Sequence, residues 1–180
     1  MVSLRTWWLN IFSSPAEFRT AQFCYIACVS QARNPFFYTR ANVPDTLDGR
    51  FEMVVLHTAL LLAAAEHAGA SQKFLQTLME CFIDDMDRNV RELGVGDTGV
   101  GKRVKAMAYA MNGRQLSYRA CGENAASWQA ALGKNVYRTL EMVPAEGLTV
   151  LTNYAVEAEH ALRALTLDSL THAQIPWPVL

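Results

Sequence analysis

One segment leaves this chain few architectures: Met53 to Ala65, MVVLHTALLLAAA, is apolar on nearly every side and interrupted only by His57 and Thr58. A helix without a polar face belongs in the middle of a core or inside a membrane. Thirteen residues rise about 20 Å as a helix, well short of the roughly 30 Å hydrocarbon layer. Charged or titratable side chains also bracket the run, Arg50 and Glu52 before it and Glu66 and His67 after it. It is therefore expected as a central buried helix, and the rest of the chain has to supply elements that wrap it. With 180 residues, 51% hydrophobic and 18% charged, the chain can bury one sizeable core, which excludes a disordered protein and disfavours two full domains.

The wrapping elements read as helices, because no stretch shows sustained alternation of β-branched residues between turn signals. Ser14-Pro15-Ala16-Glu17 is a start signal for a first helix running to about Arg33, with Ser14 as cap and Pro15 where a missing amide costs nothing. Asn34-Pro35-Phe36-Phe37-Tyr38 and Val43-Pro44-Asp45 form an irregular aromatic connector, since proline holds its predecessor extended. Thr46 to Asp48 can cap the central helix, which stops near Gly69; Ser71 opens a third, with Leu75, Leu78, Met79, Phe82, Ile83, Met86, Val90 and Leu93 on one face. After Gly94-Val95-Gly96, Asp97 or Thr98 can cap a fourth helix ending near Gly113, followed by segments around Leu116–Leu132 and Val136–Met142. A last long helix begins near Gly147, and an apolar, doubly proline-broken tail closes the chain. The expectation is an all-α single-domain bundle of about six to seven helices: segment 1–13, domain 14–168 and tail 169–180.

Sixteen Lys and Arg against seventeen Asp and Glu create no global field for nucleic acid or anionic membrane, so any such patch is local. Cys24, Cys28, Cys81 and Cys121 lie inside apolar helical patterns, too few for a disulfide scaffold, and fit a reducing compartment. The first residues lack the apolar stretch of a secretory signal. A cytoplasmic protein is expected, with peripheral membrane contact through Trp7, Trp8 and Phe12 as an option.

Short motifs of chemistry are present but incomplete. Gly96-Asp97-Thr98-Gly99-Val100-Gly101-Lys102 matches the phosphate-loop pattern, yet Arg103 replaces the magnesium-binding hydroxyl and a helix precedes it instead of a strand. Gly94-x-Gly96-x-x-Gly99 fails the same strand test as a dinucleotide fingerprint. Glu157-x-x-His160 is a single copy of a motif that bundle di-iron sites need twice, and Cys24 and Cys28 have no second ligand pair. No metal or other cofactor is expected. No nucleophile signature appears, and His57 reads as a hydrogen-bonded core histidine. The cluster Asp84 to Glu92 pairs Asp84 with Arg88 and Asp87 with Arg91 at helical spacing, giving a salt-bridged face that also suits recognition.

Three blocks in order, QARNPFFYTR (31–40), VPDTLDGRFEMVVLHTALLL (43–62) and DDMDRNVRELGVGDTGVGKRVKAMAYAMNGR (84–114), resemble the ubiquinol–cytochrome c chaperone family, which includes the mitochondrial cytochrome b assembly chaperone. The resemblance covers roughly Phe23 to Tyr118 and implies an all-helical, non-enzymatic assembly factor. Its client would be newly made cytochrome b on its way into the ubiquinol–cytochrome c reductase (bc1) complex. Mitochondrial members act with a small partner protein at the ribosome exit region, and this chain looks like a bacterial member, with no DNA contact implied. Carried onto matching positions, the resemblance implies protein-binding candidates Arg33, Tyr38, Asp45, Arg50 and Glu52, with Pro35, Pro44, Gly49 and Phe51 beside them. In the third block it implies Asp85, Asp87, Arg91, Glu92, Gly94, Gly96, Asp97, Gly101 and Lys102. The alternatives are a P-loop-like nucleotide hydrolase built on Gly96–Lys102, and a helical ribosome- or RNA-binding module using Lys102, Arg103, Lys105 and Arg114.

Overall fold

The structure is a computed structural model and describes residues 15–94 and 96–180, with the side chains of Pro15, Asp97 and Thr98 outside the description. The Ser14 cap and the Trp7, Trp8 and Phe12 contact therefore lie outside the described residues. Among the described residues eight helices follow one another: α1 (Pro15–Ala32), α2 (Pro35–Thr39), α3 (Leu47–His67), α4 (Gln72–Glu92), α5 (Asp97–Arg119), α6 (Ala125–Asn135), α7 (Ala145–Leu162) and α8 (Leu167–Thr171). No strand occurs among the described residues.

Local chemistry sets most of the starts. Asn34 Oδ1 accepts from the Phe36 amide at 3.0 Å, Thr46 Oγ1 from Gly49 at 3.2 Å, Ser71 Oγ from Phe74 at 3.0 Å and Asn124 Oδ1 from Ser127 at 3.0 Å. Each satisfies an amide that the first helical turn leaves without a partner. At the end of α4, Gly94 takes φ +74°, a conformation in which a Cβ would be strained. Cap Asn34 stays extended at ψ 130° before Pro35, and α2 is the one-turn piece that the connector still accommodates.

The run 53–65 lies where expected, with thirteen residues of α3 buried from Gly49 to Ala65. Helix α3 packs against α1, α4, α5 and α7, while α1 also packs on α4 and α6 on α7. The core joins Phe37, Met53, Leu56, Leu61, Leu78, Phe82, Met111, Trp128, Leu132 and Leu151 in one cluster. Each large apolar side chain so buried contributes about 1.5–3 kcal/mol against its exposed state. A satellite of Val90, Val100 and Val104 ties the end of α4 to the start of α5. The four cysteines are free and buried. Burial pushes the Cys24 thiol up to about 11 and that of Cys81 to about 12, which keeps both protonated.

Several boundaries differ from the sequence reading. Helix α5 does not end near Gly113 but runs on to Arg119; one exposed glycine costs only about 1 kcal/mol, which the burial of Met111 and Tyr118 on either side offsets. Leu116 thus belongs to α5, and α6 starts only at the Asn124 cap. The segment Val136–Met142 forms no helix; it turns back, burying Tyr137, whose hydroxyl donates to the Ala41 carbonyl at 2.6 Å. Leu93 is 51% exposed because it lies past the last turn of α4, and Gly96, not Asp97 or Thr98, occupies the cap position of α5.

The C-terminal tail packs back on the body. The Trp177 ring sits 5.1 Å from the His57 ring, next to Phe37 and Tyr154. The boundary drawn at 168/169 falls inside α8, whose Leu170 is buried. His57 Nδ1 lies 2.7 Å from the Met53 carbonyl and Nε2 2.8 Å from the Tyr154 hydroxyl. The carbonyl can only accept, so Nδ1 carries the proton and Tyr154 donates to Nε2. Burial pushes this imidazole down to about 4, the state of a neutral structural histidine.

Candidate functional site

Helix α4 places its charges according to the helical period. The inward stripe runs through Leu78, Phe82, Met86 and Val90, leaving Asp84, Asp85, Asp87 and Arg88 at its margin. There α4 meets the flank of α1, and together they line a cleft of about 590 Å³ whose apolar wall is Phe18, Ile26 and Val29. Arg33, Asp85 and Asp87, separated by some fifty residues in sequence, come together in this cleft. Asp85 accepts a 2.7 Å hydrogen bond from Tyr25 and lies 3.7 Å from Arg88, while Asp87 pairs with Arg91 at 2.6 Å. Arg88 was expected to pair with Asp84; the structure places it beside Asp85. Burial, with the Asp85 charge adding to it, pushes the Tyr25 hydroxyl far above its ordinary range, so it remains a donor.

A second group sits on the connector. Arg50 Nε donates to Asp45 at 2.6 Å, and its guanidinium lies 5.7 Å from the Tyr38 ring centre. The Tyr38 hydroxyl donates to the Ala32 carbonyl at 2.8 Å, tying the connector to the end of α1. The hydrogen bond from Arg50 holds the Asp45 carboxyl below the usual carboxylate range.

Glu52 stands apart from both groups. It is wholly buried, and Arg114 of α5 grips both its oxygens, Nε and Nη2 each at 2.5 Å. Arg138 approaches the same carboxylate at 3.5 Å and pairs with Asp48. Burial pushes the Glu52 carboxyl up, against the pull of Arg114. A group with no exposure has no surface to offer a partner, so Glu52 joins α3 to α5. The joint residues Glu92, Gly94, Gly96, Gly101 and Lys102 are all exposed, beyond the Asp85–Asp87 cleft wall. Asp97 begins α5, its side chain lying outside the description.

The phosphate-loop motif does not form a cradle. Residues from Asp97 onward are helical, with the Gly99 and Val100 amides spent on the Gly96 carbonyl at 2.7 and 3.2 Å, and a helix delivers the chain to it where the phosphate loop needs a strand. No group of three or more metal-ligating side chains gathers among the described residues. A larger cleft of about 650 Å³ opens between α3, α5 and α7. Its rim charges neutralise one another, Arg119 with Glu66 at 2.7 Å and Arg163 with Glu159 at 3.1 Å.

Two features escaped the sequence reading. Arg114 looked like part of a basic patch, and nothing in linear spacing links it to Glu52. The apolar wall of α1 left a trace, since Ile26 falls on a position the core does not use and is 52% exposed.

A family model described as ubiquinol-cytochrome C chaperone matches residues 39–177. The crystal structure of the Cbp3 homolog from Brucella abortus is similar over 92% of each chain, with 32% identity and a TM-score of 0.78. No curated protein sequence matches this chain. Three ordered sequence blocks, the helical architecture and a family model spanning most of the residues agree, and the chain belongs to the ubiquinol-cytochrome C chaperone family.

Proposed function

We propose that this chain is a non-enzymatic assembly chaperone that binds newly made cytochrome b and hands it to the bc1 complex, and that the α1–α4 cleft receives the client. One observation carries the reading: residues of the first and third family blocks meet there, an apolar wall on one side and, on the other, the carboxylates of Asp84, Asp85 and Asp87, which outnumber the lining cations Arg33 and Arg88. A membrane subunit offers the complement, because its apolar segments are flanked on the cytoplasmic side by an excess of Lys and Arg. Apolar wall and acidic rim together suit such a flank better than either would alone. Family membership and the likeness to the Brucella abortus Cbp3 homolog support the chaperone class. No described helix is long and apolar enough to cross a membrane. The spent amides of Gly99 and Val100 weigh against the nucleotide hydrolase.

The test is co-expression of tagged protein with cytochrome b from the same organism, followed by quantitative co-purification. Asp87→Lys puts a repelling charge on the rim, and a change of about 1.4 kcal/mol corresponds to tenfold in affinity. Capture should fall by about that factor while circular dichroism shows unchanged helix content; Arg91→Glu, which frees Asp87 of its partner, should alter it too. Unchanged capture in both variants would remove the cleft from the client surface.

A further inference from the structure

Between Thr98 and Leu140 the sequence holds seven basic residues and one acid, Glu123. The fold uses three of the cations internally: Arg114 on Glu52, Arg119 on Glu66 and Arg138 on Asp48. Glu123 is itself taken by Arg163. Lys102, Arg103, Lys105 and Lys134 are exposed and carry no ion pair among the described residues.

Two of these cations, Lys102 and Lys105, sit at one end of a helix face that none of the described residues covers. Helix α5 packs on α3 and α4, and near its end on α6, through an inward stripe that includes Val100, Val104, Met111 and Tyr118. The opposite positions, Lys102, Lys105, Ala106, Tyr109, Asn112, Gly113 and Leu116, recur at spacings of three and four and form one outward stripe. Tyr109 is 69% exposed and Leu116 63%. Space is open around Gly113, where an added Cβ would meet nothing within 4 Å. Past Leu116 the stripe leads into a shallow groove of about 350 Å³ between α5 and α6, walled by Ser117, Ala120, Ser127, Ala130 and Ala131 and bounded by Lys134.

We propose that this α5–α6 face docks an acidic amphipathic helix of a partner protein. Small side chains along the floor let a second helix backbone approach closely, and Tyr109 and Leu116 are the apolar knobs such an interface needs. Cations at both ends, with none from Ala106 to Gly113, match carboxylates near the ends of a helix. A nucleic-acid backbone, which places a phosphate every few ångströms, would meet no cation over that stretch. A bilayer surface asks for a broader apolar face than Tyr109 and Leu116 supply around Asn112. The charge is opposite to that of the α1–α4 rim, so this partner is not the client segment proposed there, and the inference stands whether or not cytochrome b is the client.

The experiment uses the full chain and a fluorescein-labelled Ala/Leu helical peptide with Glu residues at both ends, followed by fluorescence anisotropy. Three comparison probes are a Lys-for-Glu version of the peptide, phosphatidylglycerol vesicles and a single-stranded RNA oligomer. The acidic peptide should bind and its Lys version should not. Lys102→Glu with Lys105→Glu should weaken binding at least about tenfold, as should Ala130→Trp, which fills the groove without touching charge; Asp87→Lys on the other face should leave it unchanged. Ala130→Trp decides the matter if the charge reversals disturb helix content. An acidic peptide that does not bind, or that binds equally to the groove-filled variant, overturns the proposal, as does binding confined to vesicles or RNA. Failure of the parent protein to capture cytochrome b while it binds the acidic peptide would count against the client reading alone.

Discussion

Removing the Glu52 carboxylate should cost the fold far more than it costs recognition. Glu52 has no exposure and Arg114 only 15%, with two hydrogen bonds of 2.5 Å between them. In Glu52→Ala the guanidinium stays in a site built for a carboxylate, with little water to replace it. Stranding one member of a buried pair costs roughly 3–5 kcal/mol. For a chain of this size each kcal/mol moves the melting temperature by about 2–4 °C, so the midpoint should fall by roughly 6–20 °C. The burial that pushes the Glu52 carboxyl up also limits what the intact pair contributes. The double variant Glu52→Leu, Arg114→Met should therefore recover most of the loss, since apolar replacement of a buried pair is often neutral or stabilising. Urea unfolding followed by circular dichroism, with unchanged denaturant slope, measures all three proteins. A Glu52→Ala protein within about 1 kcal/mol of the parent that has lost client capture would refute the scaffold assignment and return Glu52 to the binding surface.

Two helical glycines should respond oppositely to alanine. At Gly147 a Cβ would stand 2.4 Å from the Ala41 carbonyl oxygen, so Gly147→Ala should push α7 off the connector and destabilise by about 2 kcal/mol or more. Gly113→Ala, in open space on α5, should stabilise by up to about 1 kcal/mol; thermal melts of both separate the cases. His57 predicts an acid limb: its folded value near 4 lies below the ordinary 6.5 of a histidine, so the unfolded chain takes up the proton first. The contribution is complete above about pH 6.5 and is lost as pH falls through the folded value, a change of about 3 kcal/mol. Urea midpoints measured from pH 7 to 4 should show this loss in the parent and not in His57→Gln; parallel curves would reject it.

What could be read from the sequence was what local periodicity and capping dictate. The apolar run from Met53 to Ala65 allowed one position, and Ser71, Thr46 and the Gly94 stop announced themselves by residue type. The end of α5 did not, because Gly113 looks like a terminator unless the buried residues beyond it are known to pack. The turn at Val136–Tyr137 kept the hydrophobic spacing of a helix, but its conformation is set by a distant acceptor, Ala41. The candidate residues were legible as a set and not as roles: Arg33, Asp85 and Asp87 line one cleft, whereas Glu52 faces inward. Linear spacing cannot see a partner 62 residues away, so a buried bridge and a binding carboxylate look the same in the sequence.

The central claim, that this family member receives newly made cytochrome b, is tested most directly by affinity purification of the tagged protein from gently solubilised cells of its own organism, with captured proteins quantified by mass spectrometry. The account predicts reproducible enrichment of cytochrome b over other abundant membrane proteins, reduced by Asp87→Lys. Absence of cytochrome b from the capture, together with a bc1 complex that forms normally in a deletion strain, would contradict it.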